Sequence, residues 1–382
     1  MSDIQHFFQA IELVENSNYE NKLGGIINAY TKNGNFPDLS DIDMAIVGVC
    51  ESRYSANSGS QLAPDSVRTY LYDLYQGSFR ARIVDLGNIE QGHEVDDTYY
   101  ALKTTVEYLI KNNIIPIIIG GSQDLTYALY RGYDDLEQMV NLVSIDSKFD
   151  FGKESEEVSA TSYLTKIIID EPNNLFNYCN IGYQTYYNSQ EEIDLIEKLF
   201  FDGYRLGEVS NNISISEPVF RDADLVSLDL NSVKSADSGN FVSFSPNGFN
   251  GKEICSLSRY AGISDKVSLF GIFNHNNSVQ ESAIIAQIIW YFIEGFHYRS
   301  NEYPFGSREN YLKYIVPLEE EELVFYKSNK TDRWWIEIPF ISNGNNKLKR
   351  NTLLPCSYEE YLAACNQELP ERWWKAQRKN II

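Results

Sequence analysis

Basic residues are in short supply in this chain: 32 lysines and arginines stand against 54 aspartates and glutamates, a formal charge of −22. Proteins that grip nucleic acid need a basic face to displace counterions from phosphates, so the composition argues against that class. Cysteine is sparse as well. Cys50, Cys179, Cys255, Cys356 and Cys365 are odd in number, scattered and form no CxxC pair. That spacing supports neither a disulfide framework nor a zinc knuckle and predicts a reducing, cytoplasmic setting. The longest apolar stretches, such as Ile284 to Phe296, are too short and interrupted to cross a bilayer, and Met1 to His6 lacks the look of a signal peptide. No Gly-x-Gly-x-x-Gly or Gly-Lys-Ser/Thr follows Gly120-Gly121, so the pair reads as a tight strand-to-helix turn rather than a phosphate loop. The four histidines (His6, His93, His275, His297) leave no base beside Ser122, Ser144, Ser147 or Ser227, which argues against a hydrolase triad.

What the chain does have is a set of apolar runs that end in acids. Leu142-Val143-Ser144-Ile145 leads into Asp146-Ser147-Lys148-Phe149-Asp150. Leu225-Val226-Ser227-Leu228 leads into Asp229-Leu230-Asn231, and Ile114 to Ile119 runs into Gly120-Gly121-Ser122-Gln123-Asp124. Runs of this kind read as buried parallel strands whose carboxyl ends open onto a ligand crevice. Asp146, Asp150 and Asp229 are therefore expected to share one pocket.

Strands at 44–50, 81–87, 114–119, 142–150, 178–184, 224–230 and 266–273 alternate with helical spacing at 64–71, 96–112, 191–201, 251–262 and 278–296. That alternation predicts a three-layer α/β sandwich with a mostly parallel sheet over residues 42–298. Residues 1–41 read as a helical segment with Phe7, Phe8, Ile11 and Leu13 as a short docking face. Residues 299–382 read as a small α+β appendage, with a hairpin at 319–339 and helices at 357–379. Trp334, Trp335, Trp373 and Trp374 either pin that appendage to the main domain or offer a face to a protein partner.

Several segments in this strand context resemble the ureohydrolase superfamily of arginases, agmatinases and formimidoylglutamases. Gly59 to Arg68 is similar to the family's Gly-x-x-x-x-Pro-x-x-[Ile/Val]-Arg segment, and Gly120 to Asp124 sits at Gly-Gly-[Asp/Gly]-His-[Ser/Glu]. Asp146 to Asp150 sits at Asp-Ala-His-x-Asp, and Ser227 to Asn231 at Ser-x-Asp-x-Asp. Ile181 to Gln184 and Ser258 to Gly262 also match, and the first of these, with the overall length, points to the formimidoylglutamase branch.

The resemblance implies an arginase-like fold and a centre of two manganese ions held by two histidines and four aspartates. Mapped onto that centre, the first histidine falls on Gln123, the second on Lys148 and the last aspartate on Asn231, while Asp146, Asp150 and Asp229 are kept. The family's guanidinium-gripping glutamate would fall near Gly271 to Asn274, where no acid occurs. A lysine among three carboxylates predicts an internal counter-ion in place of the metals, with Gln123 hydrogen-bonding an aspartate. The expected function is then a non-catalytic binding or assembly protein with no metal cofactor, an oligomer as in the wider family. The alternative is an arginase- or formimidoylglutamase-like hydrolase of a guanidino or formimino C–N bond, with Mn²⁺ or Mg²⁺ at Asp146, Asp150 and Asp229.

Overall fold

The structure is a computed structural model and describes all residues except 1–3, 13–18, 55–62, 137, 154–156, 303, 305–307, 320, 339–352 and 382. Its main sheet is built from β1 (Phe8–Gln9), β2 (Asn28–Ala29), β3 (Met44–Val49), β4 (Ile83–Ile89), β5 (Ile115–Ile119), β6 (Val140–Ile145), β7 (Leu175–Tyr183), β8 (Asp202–Arg205), β9 (Leu225–Asp229) and β10 (Leu269–Phe273). The spatial order is β1-β4-β3-β5-β10-β9-β6-β7-β8, with β2 beside β4, and only the β1–β4 pair is antiparallel.

Every residue of β3, β5, β6, β9 and β10 is buried, because helices cover both faces. Alternation along β3 sorts the core. Met44 and Ile46 join one apolar cluster with Val67, Leu71, Ile254, Leu257, Ile285 and Ile289, from the helices Ala63–Leu71, Gly251–Ile263 and Val279–His297. Ala45, Val47 and Val49 join the other with Leu102, Val106, Leu125, Leu129 and Leu164, from the helices Val95–Lys111, Leu125–Arg131 and Tyr163–Ile169. The three-layer architecture is as expected. Two helices of the first layer cross backbone to backbone at glycines: a Cβ at Gly262 would lie 2.2 Å from the Phe292 carbonyl oxygen, and one at Gly295 would lie 2.4 Å from that of Arg259.

The N-terminal residues depart from the expected helical segment. Leu23–Ile26 is a single helical turn, and β1 and β2 extend the sheet at β4 instead. Gly24, Gly25 and the nearby asparagines are poor helix formers, while the unpaired edge of β4 offers backbone partners. Phe8 and Ile11 are buried as a docking face requires; Leu13 lies outside the described residues.

The C-terminal unit is an antiparallel sheet of β11 (Tyr311–Pro317), β12 (Glu322–Ser328), β13 (Trp334–Glu337) and β14 (Leu353–Cys356), followed by the helices Tyr358–Cys365 and Glu371–Ile381. The expected hairpin is the β12–β13 pair. Trp334, Trp335 and Trp373 are buried and Trp374 packs edge-on against Phe200, so these rings consolidate the unit and its docking rather than forming an exposed partner face. The buried Arg221 clamps the two units. It donates to the Trp334 carbonyl at 3.1 Å and the Cys356 carbonyl at 2.8 Å, pairs with Glu217 at 2.9 Å, and lies 4.7 Å from the Trp335 ring centroid.

Candidate active site

Four adjacent central strands, β5, β10, β9 and β6, deliver their carboxyl ends to one spot. After β5 the chain turns at Gly121, whose missing Cβ would sit 1.5 Å from the Glu51 carbonyl oxygen, and Ser122 N donates to that same oxygen at 3.2 Å. The tight turn read from the sequence is thus a backbone contact with the loop after β3, and it aims Gln123 inward. Gln123 Nε2 donates to Asp146 Oδ2 at 2.7 Å and to the Tyr163 hydroxyl at 3.2 Å. Asp146 also accepts from the Lys148 backbone N at 2.9 Å, and Asp229 accepts from Asn231 N at 2.8 Å.

The structure brings five of the six positions singled out from the sequence close together. Gln123, Asp146, Asp150 and Asp229 are buried, and Asn231 is half-buried beside them. Asp146 and Asp150 stand close enough to perturb one another's ionisation. Burial pushes Asp150 up to about 7, with the neighbouring Asp229 adding to it. Burial, then the charge of Asp150, raises Asp146 well above the carboxylate range; burial, then Asp146, does the same for Asp229. Asp150 stands in the left-handed backbone region (φ 56°), as does Asn274 (φ 61°), and strain of this kind concentrates at functional sites.

Lys148 does not do what the sequence suggested. Its side chain is exposed, its ammonium lies 5.8 Å from the Tyr187 ring centroid, and no ion pair among the described residues joins it to Asp146, Asp150 or Asp229. The reason is local. Its N–H is bound to Asp146 and its carbonyl accepts from Asn180 Nδ2 at 2.7 Å, which fixes the backbone with the side chain directed outward. An ammonium on a flexible stem keeps its hydration at the rim rather than losing it among buried groups. Its charge still lowers Asp150 slightly, behind the larger effects of burial and Asp229.

Two participants were missed. Asn274, just after β10, accepts from Gln123 N at 3.2 Å, donates to Gln123 Oε1 at 3.4 Å and hydrogen-bonds Asp229. Tyr163, fully buried, receives Gln123 and lies 3.4 Å from the Ser144 hydroxyl. The Asn-His-Asn-Asn run after an apolar strand was the available signal for Asn274; nothing local marks Tyr163. Cys50 is buried and its thiol is pushed up to about 12 by burial, which fits an inert residue rather than a nucleophile. Asp150 and Asp229 line a cavity of about 320 Å³ whose wall includes Tyr54, Lys148, Tyr187 and Phe244; Asp146 is buried outside that lining.

The donor set itself tests the metal implied by the sequence. Three carboxylates with amide oxygens nearby fit one hard, oxygen-seeking divalent cation. They do not fit the two-ion set of the resemblance, because Gln123, Lys148 and Asn231 supply neither imidazole nor a fourth carboxylate. Among the described residues no three acids, histidines or cysteines already surround a common point, so a cation would have to draw the three carboxylates together.

A mostly parallel, doubly covered sheet with an acid cluster across its central strand ends is the architecture of an arginase-type α/β protein. Comparison with known proteins agrees: the model of the family described as "Arginase: Arginase family" matches residues 42–238. The chain belongs to the arginase family. It is 26% identical over 242 residues to a formimidoylglutamase of Geobacillus sp. (strain WCH70), covering 60% of this chain and 74% of that protein. Formimidoylglutamase from Bacillus subtilis subsp. subtilis str. 168 shares the fold at TM-score 0.65 and 16% identity, over 76% of this chain and 97% of that one. Trypanosoma cruzi formiminoglutamase, solved with Mn²⁺, does so at TM-score 0.62 and 17% identity, over 69% and 97%. No helix among the described residues is long and apolar enough to cross a membrane.

Proposed function

We propose that this chain is a hydrolase of a linear C–N bond in an amidine-type substrate, formimino or guanidino, using one oxygen-ligated divalent cation at Asp146, Asp150 and Asp229. The observation that supports it most is the convergence of these three buried acids at adjacent strand ends, two of them, Asp150 and Asp229, lining an open cavity, with the Lys148 ammonium over the Tyr187 ring instead of paired with them. Carboxylates this close and this dry call for either protons or a cation.

A divalent ion held there supplies Lewis acidity toward water and the substrate nitrogen. The protein's own residues provide the rest. Asn274 and Gln123 hold the acids in register, while Asn231 fixes Asp229 from the cavity side. In the reaction, water oxygen bonds to the amidine carbon, the C–N bond to the leaving nitrogen breaks, and that nitrogen takes up a proton. A formimino substrate gives formamide and an amine; a guanidino substrate gives urea and an amine.

The test is release of formamide, urea or ammonia from such substrates with and without added Mg²⁺ or Mn²⁺. The reading requires cation-dependent turnover that is lost in Asp229→Ala. A second reading, a non-catalytic binding protein on the same scaffold, is favoured by one specific observation: Gln123, Lys148 and Asn231 occupy three positions where the resemblance places metal ligands. Absence of both turnover and cation binding would decide for it.

A further inference from the structure

The cavity above the acids has an aromatic lip that the proposed chemistry does not require. Phe244 is 62% exposed although it lines the cavity; Phe241 is 67% and Val242 76% exposed beside it. Tyr187 and Tyr54 line the same cavity. Single apolar residues on a surface need no explanation, but a cluster at the mouth of a pocket marks a recognition site.

The lip is built rather than loose. Asn240 Oδ1 accepts from Val242 N at 3.1 Å and Ser243 N at 2.9 Å, and Ser235 and Ser245 exchange bonds at 2.7 Å. Asn240 Nδ2 donates to Asn231 Oδ1 at 3.4 Å, tying the segment to the floor. The rings of Phe241 and Phe244 lie nearly parallel, 18° apart, with centroids 6.4 Å apart. Across the mouth, Lys148 is held on the Tyr187 ring.

Resting on the reading that an amidine-type substrate is hydrolysed at a cation held by these acids, we propose that this lip is a subsite for a flat apolar group carried by the same substrate. The preferred ligand is an amidine or guanidine substituted by an aromatic ring, rather than one on a short polar chain. Complementarity has two parts: the amidine group reaches toward the floor of the cavity, and a ring attached to it meets the aromatic wall at Phe244 and Tyr187, where aromatic contact adds to the area buried.

The experiment compares acetamidine with benzamidine by calorimetry on the full chain, with Mg²⁺ or Mn²⁺ present as the proposed chemistry requires. Wild type is expected to bind benzamidine about tenfold or more tightly than acetamidine. Phe244→Ala should collapse that ratio toward unity, and a Phe244→Tyr variant should restore it. Acetamidine binding with no preference for benzamidine, or a preference that survives Phe244→Ala, overturns the lip subsite alone. Failure of both amidines to bind, or binding unaffected by Asp229→Asn, overturns this inference together with the reading beneath it.

Discussion

Replacing Arg68 by methionine is the perturbation whose size the structure specifies best. The guanidinium of Arg68, on the helix Ala63–Leu71, forms a two-pronged pair with Asp85 of β4 at 2.7 and 2.9 Å, and both side chains are buried. Its remaining donors reach Asn88 Oδ1 at 2.5 Å, the Gly87 carbonyl at 2.9 Å and Asp65 at 2.9 Å. Methionine keeps much of the volume but leaves Asp85, among the described residues, with only the Tyr72 hydroxyl and Gly87 N as donors. Stranding a buried charge in this way costs about 3–5 kcal/mol.

Removing both charges costs far less, because an apolar pair of similar volume leaves nothing unpaired. The assay is urea denaturation of wild type, Arg68→Met, Asp85→Leu and the double variant. The expected pattern is two severe single losses and a double variant more stable than either, a coupling of roughly 2 kcal/mol or more. If Arg68→Met lost less than about 1 kcal/mol, or if the single effects simply added, the pair would not be the anchor described, and the reasoning would fail.

Three further outcomes are expected. His275 is fully buried with Nε2 unpartnered, and burial pushes its imidazole down to about 3. The unfolded chain takes up that proton below pH 6.5 while the folded chain does not, so stability should fall on acidification by about 1.4 kcal/mol per pH unit between 6.5 and 3. His275→Leu should flatten that slope in thermal melts between pH 7 and 5, and an unchanged slope would count against it. Mg²⁺ or Mn²⁺ at a hundredfold excess over its dissociation constant should stabilise wild type by about 2.7 kcal/mol in differential scanning calorimetry, and not Asp229→Asn; equal shifts in both would place the cation elsewhere. Arg221→Met should release the C-terminal unit to limited proteolysis at concentrations that leave wild type intact, since two buried carbonyls lose a charged donor; equal digestion rates would show that the helix Glu371–Ile381 suffices to hold it.

The parts of the fold readable from sequence were those where burial on both sides writes an uninterrupted apolar run, as in Ile114 to Ile119 and Leu142 to Ile145. β1 and β2, at two residues each, are too short to carry any periodicity, and β14 reaches its partner β13 across a long separation in sequence. In the site, Asp146, Asp150 and Asp229 were legible because acids directly after such runs have one place to go. The direction of Lys148 was not, since it depends on a hydrogen bond from Asn180 on the neighbouring strand β7. Asn274 escaped for a related reason: its role follows from left-handed backbone and from contact with Gln123, 151 residues away.

The hydrogen bond from Asn240 to Asn231 gives the site a mechanical property. The segment that would greet an incoming molecule and the residue that steadies Asp229 are joined by a single amide-to-amide link, so neither can shift without dragging on the other. A guest resting on Phe244 is therefore expected to be felt at Asp229, and a cation affinity that does not change when the mouth is occupied would show that the link carries nothing.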